Sequence, residues 1–325
     1  MLSAKALSAE ARAAGTWTAF SGRGGGAERG GRELSGGGTA SPALPFNEIS
    51  GERSLVMVAW PAFPSFSEAP SSPRVKAAPC LLCARSYVCP VPVYALSRAL
   101  VFPPPDHAED GLVAVGGDLS AERLLLAYRS GIFPWYGDGL PILWHSPDPR
   151  CVLPVADLHV GRSLRRVIDK GTYEVRFDTA FQRVIRACKT SPRPGQDGTW
   201  ITADMERAYM RLHALGYAHS VESWVDGELA GGLYGVSLGR VFFGESMFTR
   251  QPNASKVALV ALAERVARWG FRIIDAQVPT PHTVAMGASE WPRAKFLKVL
   301  AQELRHPTRK GSWGRDEPEL ESAWG

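Results

Sequence analysis

Three residues in the second half of the chain carry chemistry that packing alone does not require. Asp275 and Gln277 stand two apart in the apolar run Phe271–Val278. Side chains alternate across a strand, so positions i and i+2 share a face, and the spacing predicts a carboxylate and an amide pointing the same way. An acid inside an apolar run needs a partner or a role. Glu245 follows Val241-Phe242-Phe243 in the sequence Gly244-Glu245-Ser246, which predicts a carboxylate emerging where a strand ends. An amide and a carboxylate can orient an amine by hydrogen bonds, and a carboxylate can meet a cation by a charge-assisted bond. Each also has a plain reading: a buried Asp that holds a loop, and a structural carboxylate at a strand end.

The elements that must position these groups follow from periodicity. Between the two strands Asn253 is expected to cap a helix. That helix carries Val257, Leu259, Val260, Leu262, Val266 and Trp269 and closes at Gly270. Upstream, His219–Val225 and Glu228–Leu238 flank Asp226-Gly227, a hairpin signal. Thr202 is expected to cap a helix with Met205, Ala208, Tyr209, Leu212 and Leu215 on one face, and Asp178 to cap another through Cys188. Ser120 should cap Ala121–Ser130, with Leu124, Leu125, Ala127 and Tyr128 inward and Gly131 at the end. Phe133-Pro134-Trp135-Tyr136 then breaks into a loop, Ile142-Leu143-Trp144 is a short strand, and a last helix begins near Pro292 with Phe296, Leu297, Val299 and Leu300 inward. Helices, a strand meander, then a helix and a returning strand indicate an α+β fold.

Four blocks carry a resemblance: GLVAVGGDLSAERLLLAYRSGIFPWYGDGLPILWHSPDPR (Gly111–Arg150), GTWIT (Gly198–Thr202), HALGYAHSVESWVDGELAGGLYGVSLG (His213–Gly239) and RVFFGESMFTRQPNASKVALVALAERVARWGFRIIDAQVPTPH (Arg240–His282). In this order, and over roughly two-thirds of the chain, the sequence resembles the leucyl/phenylalanyl-tRNA–protein transferase family. The resemblance implies a small N-terminal α+β domain (91–155), an acetyltransferase-like (GNAT-type) α/β domain (156–308) and a flexible tail (309–325), with 1–90 as an extension. It implies aminolysis of an ester: the α-amine of an acceptor protein with N-terminal Arg or Lys attacks the aminoacyl ester of a charged tRNA, which marks the acceptor for N-degron-dependent degradation. The implied setting is the cytoplasm, the implied state a monomer, and the implied cofactor and metal sets are empty.

The same resemblance implies roles for particular residues. Trp135 and Trp200 would stack on the 3′-terminal adenosine; such stacking is worth roughly 1–3 kcal/mol per base. Phe242, Met247 and Ile274 would form the pocket for the Leu or Phe side chain. An apolar pocket discriminates by only about 1–3 kcal/mol per methylene, so Met is also expected to enter. The family's mechanism has the Gln277 amide receive the amine proton while Asp275 polarises it, and Glu245 meets the positive end of the acceptor. An amide oxygen is too weak a base at neutral pH, since a catalytic base works best with a pKa near the operating pH; orientation of the amine is the chemically sounder role. Lys256 is a candidate phosphate contact, and His282 shows no ligand spacing.

Composition sets outer bounds. The 325 residues suffice for two modest domains, and 45% hydrophobic content is that of a globular chain. No window offers the ~18 uninterrupted apolar residues of a membrane span. A formal charge of +5 makes an anionic partner such as a tRNA backbone reasonable without arguing for one. Cys80 and Cys83 have zinc-like or redox-like spacing, with Cys89 as a third candidate ligand, but nothing nearby completes a four-ligand site, and reduced thiols are the simpler reading. The first ninety residues are rich in Gly, Ala, Ser and Pro, have no sustained period, and hold no Asp before Asp106. They read as a non-native upstream extension, a disordered tail or a targeting segment, with the family-like sequence starting near Val91.

Two rival readings stand beside this one. An acyl-CoA-dependent N-acetyltransferase would cradle pyrophosphate with a glycine-rich turn at a helix N-terminus; the corresponding turn here, Thr249–Ser255, has no glycine. A non-catalytic tRNA- or degron-binding module is the other, and only activity separates it.

Overall fold

The structure is a computed structural model, and it describes residues 94–191, 199–314 and the strand Glu319–Glu321. The expectations placed on residues 1–90, including those for Cys80, Cys83 and Cys89, lie outside the described residues.

Two of the three sheets among the described residues organise the fold. The smaller joins β1 (Tyr94–Leu96), β2 (Leu112–Gly116), β3 (Phe133–Pro134) and β4 (Leu143–His145) in the order β1-β2-β4-β3. Between β2 and β3 lies α1 (Ala121–Arg129), capped by the Ser120 side chain and followed by Gly131 at φ 72°. Leu124, Ala127 and Tyr128 of α1 are buried as its period requires.

The larger sheet has seven strands. They are β5 (Arg150–Pro154), β6 (Glu174–Phe177), β7 (Ala218–Val225), β8 (Glu228–Leu238), β9 (Val241–Thr249), β10 (Ile273–Gln277) and β11 (Ser289–Trp291). They lie in the order β11-β5-β10-β9-β8-β7-β6. The hairpin β7–β8 turns at Asp226-Gly227, both at positive φ (50° and 76°), as a two-residue turn of this kind demands. Every pairing in this sheet is antiparallel except β9–β10, which run parallel because α5 (Ala254–Arg268) connects them as a crossover. The remaining helices are α2 (Arg162–Asp169), α3 (Phe181–Thr190), α4 (Ala203–Ala214), α6 (Pro281–Ala285) and α7 (Arg293–Glu303); β12 (Thr308–Lys310) pairs with β13 (Glu319–Glu321). The mixture is α+β, as expected.

Apolar side chains form two clusters. One joins α1, α3, α4, α7 and the small sheet through residues such as Leu124, Trp144, Val184, Tyr209, Phe243 and Phe296. The other joins α2 and α5 through Leu164, Val257, Leu262, Phe242, Ile274 and Trp313. Neighbours in sequence fall on opposite sides, Phe242 from Phe243 and Ile274 from Ile273, which is strand alternation expressed in packing.

Several local expectations need correction. β9 does not stop at Gly244 but runs on to Thr249, so Glu245 lies inside a strand rather than at its end. Asn253 stands at the start of α5 at φ 69° with no side-chain capping bond. Asp178 caps no helix: α3 starts three residues later, and the carboxylate instead takes the backbone N–H of Ser220 (2.8 Å) and of Trp313 (2.7 Å) and bonds His219 Nδ1 (2.9 Å). Trp313 was expected in a flexible tail, yet it is fully buried and stacks on His219 with ring centroids 4.0 Å apart.

Candidate functional site

The site forms where β9 and β10 part. Their last paired residues are Phe243 and Asp275. One step beyond, each strand carries a bulge against its other neighbour. Opposite β8, Gly235 pairs with Gly244 and Tyr234 with Ser246, which leaves Glu245 as the extra residue. Opposite β5, Val152 pairs with Asp275 and Cys151 with Gln277, which leaves Ala276 extra. A bulge bends a strand and re-aims its side chains; two of them on adjacent strands bring Glu245 and Gln277 face to face. Gln277 Nε2 donates to Glu245 Oε1 at 2.9 Å.

Gln277 itself is held in a tight turn. Its φ is 61°, and the N–H of Val278 reaches back to the Ala276 carbonyl at 2.7 Å, a three-residue γ-turn. The other described non-glycine residues at positive φ are Asp110, Asp178, Asp226 and Asn253, types that tolerate this region. Gln277 is the exception, and such strain is stored where surrounding structure enforces it.

The enforcing structure is Asp275 with Arg150. Arg150 Nε and Nη2 grip the two carboxylate oxygens of Asp275 at 2.8 and 2.7 Å, and Asp275 Oδ1 also takes the backbone N–H of Gln277 at 2.9 Å. The guanidinium is sandwiched between the rings of Phe133 and Phe296, each 4.7 Å away, and its Nη1 donates to the Gly131 carbonyl. Arg150 and Asp275 are both buried. Asp275 and Gln277 therefore do not present a side-by-side pair, as simple alternation suggests: Asp275 is committed to Arg150, while Gln277 turns to Glu245.

Glu245 is 1% exposed, with a hydroxyl on each oxygen: Tyr128 Oη lies 2.7 Å from Oε1, and Tyr209 Oη 2.8 Å from Oε2. The two hydroxyls also touch each other. Burial pushes the Glu245 carboxyl up to about 7; the three donors pull it down, and the charge of Asp275 adds to burial. Burial and the neighbouring Glu245 hold both phenols well above the usual tyrosine range.

Two pockets meet at this carboxyl. Glu245 and Gln277 line the first with Phe133, Pro134, Trp135, Trp200 and Val278, around an empty volume of about 280 Å³. Trp135 rests edge-on against His145, 5.9 Å between centroids, and its backbone N–H donates to the Leu143 carbonyl. Trp200 lies two residues before Thr202, whose side chain caps α4. The second pocket, about 400 Å³, is lined by Phe242, Gly244, Met247, Ile274, Asp275 and residues of α5, again with Glu245. Glu245, Asp275, Gln277, Trp135, Trp200, Phe242, Met247 and Ile274 each line one pocket or the other, whereas Lys256 lines neither. Among the described residues no group of three His, Cys, Asp or Glu is placed to hold a metal ion.

Three participants escaped the sequence reading. Tyr128 and Tyr209 read as packing positions, although a buried phenol needs a partner for its hydroxyl. Arg150 drew no reading of its own, because its long-range partner Asp275 leaves no trace in local spacing.

A buried amide and carboxyl thus lie beside an aromatic-walled pocket and an apolar one. Comparison with known proteins gives the class of protein. Residues 152–301 match the family model described as leucyl/phenylalanyl-tRNA protein transferase, and residues 117–148 its N-terminal domain. The leucyl/phenylalanyl-tRNA–protein transferase of Myxococcus xanthus is 61% identical over 226 residues, 69% of this chain and 97% of that protein. Those of an Anaeromyxobacter species and of Syntrophobacter fumaroxidans are each 59% identical, over 69% of this chain and 96% of theirs. Among solved structures, L-PGS from Bacillus licheniformis is similar with a TM-score of 0.29 and 12% identity, over 50% of this chain and 52% of that one. The chain belongs to the leucyl/phenylalanyl-tRNA–protein transferase family, and it is an aminoacyltransferase.

Proposed function

We propose that this chain moves Leu or Phe, and less selectively Met, from charged tRNA to the α-amine of proteins that begin with Arg or Lys. The observation that carries this reading is the Gln277 amide, which lines the aromatic-walled pocket and is locked on its nitrogen side by Glu245, the residue common to both pockets. The terminal adenosine stacks between Trp135 and Trp200. The aminoacyl side chain enters the pocket of Phe242, Met247 and Ile274, and the ester carbonyl falls at the junction. With its Nε2 engaged, Gln277 offers its oxygen to an N–H of the attacking amine. The amine lone pair forms the new C–N bond, the C–O bond to the ribose breaks, and the ribose oxygen takes up the proton the amine loses. Alignment of nucleophile and ester supplies much of the acceleration, and Asp275, fixed by Arg150, acts by holding the turn that aims Gln277.

The larger sheet with its crossover helix supports an acetyltransferase-like (GNAT-type) domain, following a small N-terminal domain. No helix among the described residues is long and apolar enough to cross a membrane, and cytoplasmic action as a monomer on N-degron acceptors is part of this reading. The test is transfer of labelled leucine from charged tRNA to an acceptor with N-terminal Arg, without CoA. Transfer that Trp200→Ala weakens mainly through a raised KM supports the assignment. Absence of transfer, together with acetylation of the same acceptor from acetyl-CoA, overturns it.

A further inference from the structure

We propose that Glu245 is a neutral carboxylic acid in the resting protein, closing a ring of three hydrogen bonds with Tyr128 and Tyr209, and that this ring is a positioning device for Gln277. The inference rests on the aminoacyl-transfer reading for its purpose but not for its chemistry.

The argument is a count of protons. Tyr128 Oη meets Glu245 Oε1, Tyr209 Oη meets Glu245 Oε2, and the two phenol oxygens meet each other. Three oxygen–oxygen contacts need three protons. With an ionised carboxylate only the two phenols supply them; if both point at Glu245, the phenol–phenol contact sets lone pairs against each other. No solvent relieves this, since Tyr128 and Tyr209 are 0% and Glu245 1% exposed. A third proton on Oε2 completes the ring. Oε2 then donates to Tyr209, Tyr209 to Tyr128, and Tyr128 to Oε1. The choice of Oε2 follows from Gln277, whose Nε2 also donates to Oε1: the oxygen that accepts twice is the carbonyl. Every hydrogen of the ring is placed, and the Gln277 amide has one orientation, nitrogen inward and oxygen outward.

The charged and titratable groups around Glu245 agree. α1 and α4 present Tyr128 and Tyr209 to it. β10 presents Asp275, whose negative charge opposes a second one nearby, and Arg150 is spent on Asp275 at 2.7 Å. β8 contributes Tyr234, which raises both neighbouring phenols. The purpose follows from the nucleophile. An amine attacks only as the free base, and a carboxylate beside it would favour the ammonium form. A neutral acid fixes the amide without that penalty.

Infrared difference spectroscopy of the full protein minus Glu245→Gln, without tRNA, reads the proton directly. A protonated-carboxyl stretch is expected at about pH 6 and is lost by about pH 9, on either side of about 7. Its absence at the lower pH overturns the proposal. In transfer assays Glu245→Gln, which can still accept at its oxygen and donate from its nitrogen, is expected within about tenfold of wild type and without a loss of kcat on the alkaline side; Glu245→Ala should lose on the order of 10²-fold or more. Equal losses in both variants, with wild-type melting, would also refute it. A carboxyl band in a protein that transfers no amino acid would instead leave the ring standing and remove the transferase reading.

Discussion

Gln277 shows how a residue's backbone and side chain are tied to one task. At φ 61° it occupies a region that glycine enters freely. Gln277→Gly should therefore be about as stable as wild type or slightly more so: relief of strain of roughly 1–3 kcal/mol offsets a lost side-chain bond of about 1 kcal/mol. Transfer should nonetheless fall on the order of 10²-fold, as for loss of a group that orients the amine. Thermal melting and initial rates measured together decide this, and a large drop in melting temperature would show the side chain to be mainly structural. Arg150→Met is expected to behave in the opposite way. It leaves Asp275 buried without its partner and should destabilise by about 3–5 kcal/mol. Adding Asp275→Asn should recover part of that loss, a non-additivity that chemical denaturation can measure. The roles of these residues were only half legible. Types and spacing marked Asp275 and Gln277 as unusual, but a shared face assumes an unbroken strand, and the bulge at Ala276 breaks it.

At the scale of elements the bulge in β9 does something simple alternation forbids. Phe242 and Met247 are five apart and belong on opposite faces of a regular strand. Beyond Glu245 the parity reverses, so Met247 joins Phe242 in one apolar cluster and Phe248 joins Phe243 in the other. Grouping Phe242 with Met247 came from family resemblance; periodicity alone would have separated them. Helix extents, the hairpin and the Ser120 and Thr202 caps were readable because each depends on neighbours in sequence. β5, and Arg150 with it, was not, because its meaning lies in a strand more than a hundred residues away. Two glycines test the arrangement. A Cβ at Gly235, opposite the bulge, would run into the Phe243 carbonyl oxygen, so Gly235→Ala should cost about 1–3 kcal/mol through overpacking. A Cβ at Gly244 would come no closer than 3.5 Å to the Asp275 carbonyl, an ordinary contact, while entering the pocket of Phe242 and Met247. Gly244→Ala should fold normally and shift preference from Phe toward Leu, measured as the ratio of kcat/KM for the two charged tRNAs.

For the molecule as a whole, buried titratable groups set opposing pH responses. Glu245 is held near 7 against an ordinary 4.5, so its contribution is fully present below about 4.5 and is lost as pH rises through 7, roughly 3 kcal/mol in all. His145 and His282 are pushed down to about 4 by burial, and Lys256 adds to this for His282. Their contribution is present above 6.5 and is lost as pH falls toward 4. Melting followed across this range should show Glu245→Gln flattening the loss between about pH 5 and 8 while leaving the acid side unchanged. The C-terminal segment matters at the same scale. Trp313 stacks on His219, its backbone N–H donates to Asp178, and its carbonyl accepts from Arg265. Removing residues 312–325 should cost at least the 3–5 kcal/mol or so of deleting a buried Trp, seen as a large drop in melting temperature.

The two bulges also separate what the fold conserves from what the chemistry uses. Glu245 and Ala276 are supernumerary in the ladders: β8 and β5 pair straight across them, as though each strand were one residue shorter. Excision of Glu245 would leave Gly244 and Ser246 to face Gly235 and Tyr234 as consecutive partners, a smoother sheet with no carboxyl at its centre. Insertion and deletion, rather than substitution, are thus the genetic events to which this site is most exposed. A single lost codon there would heal the sheet and erase the enzyme.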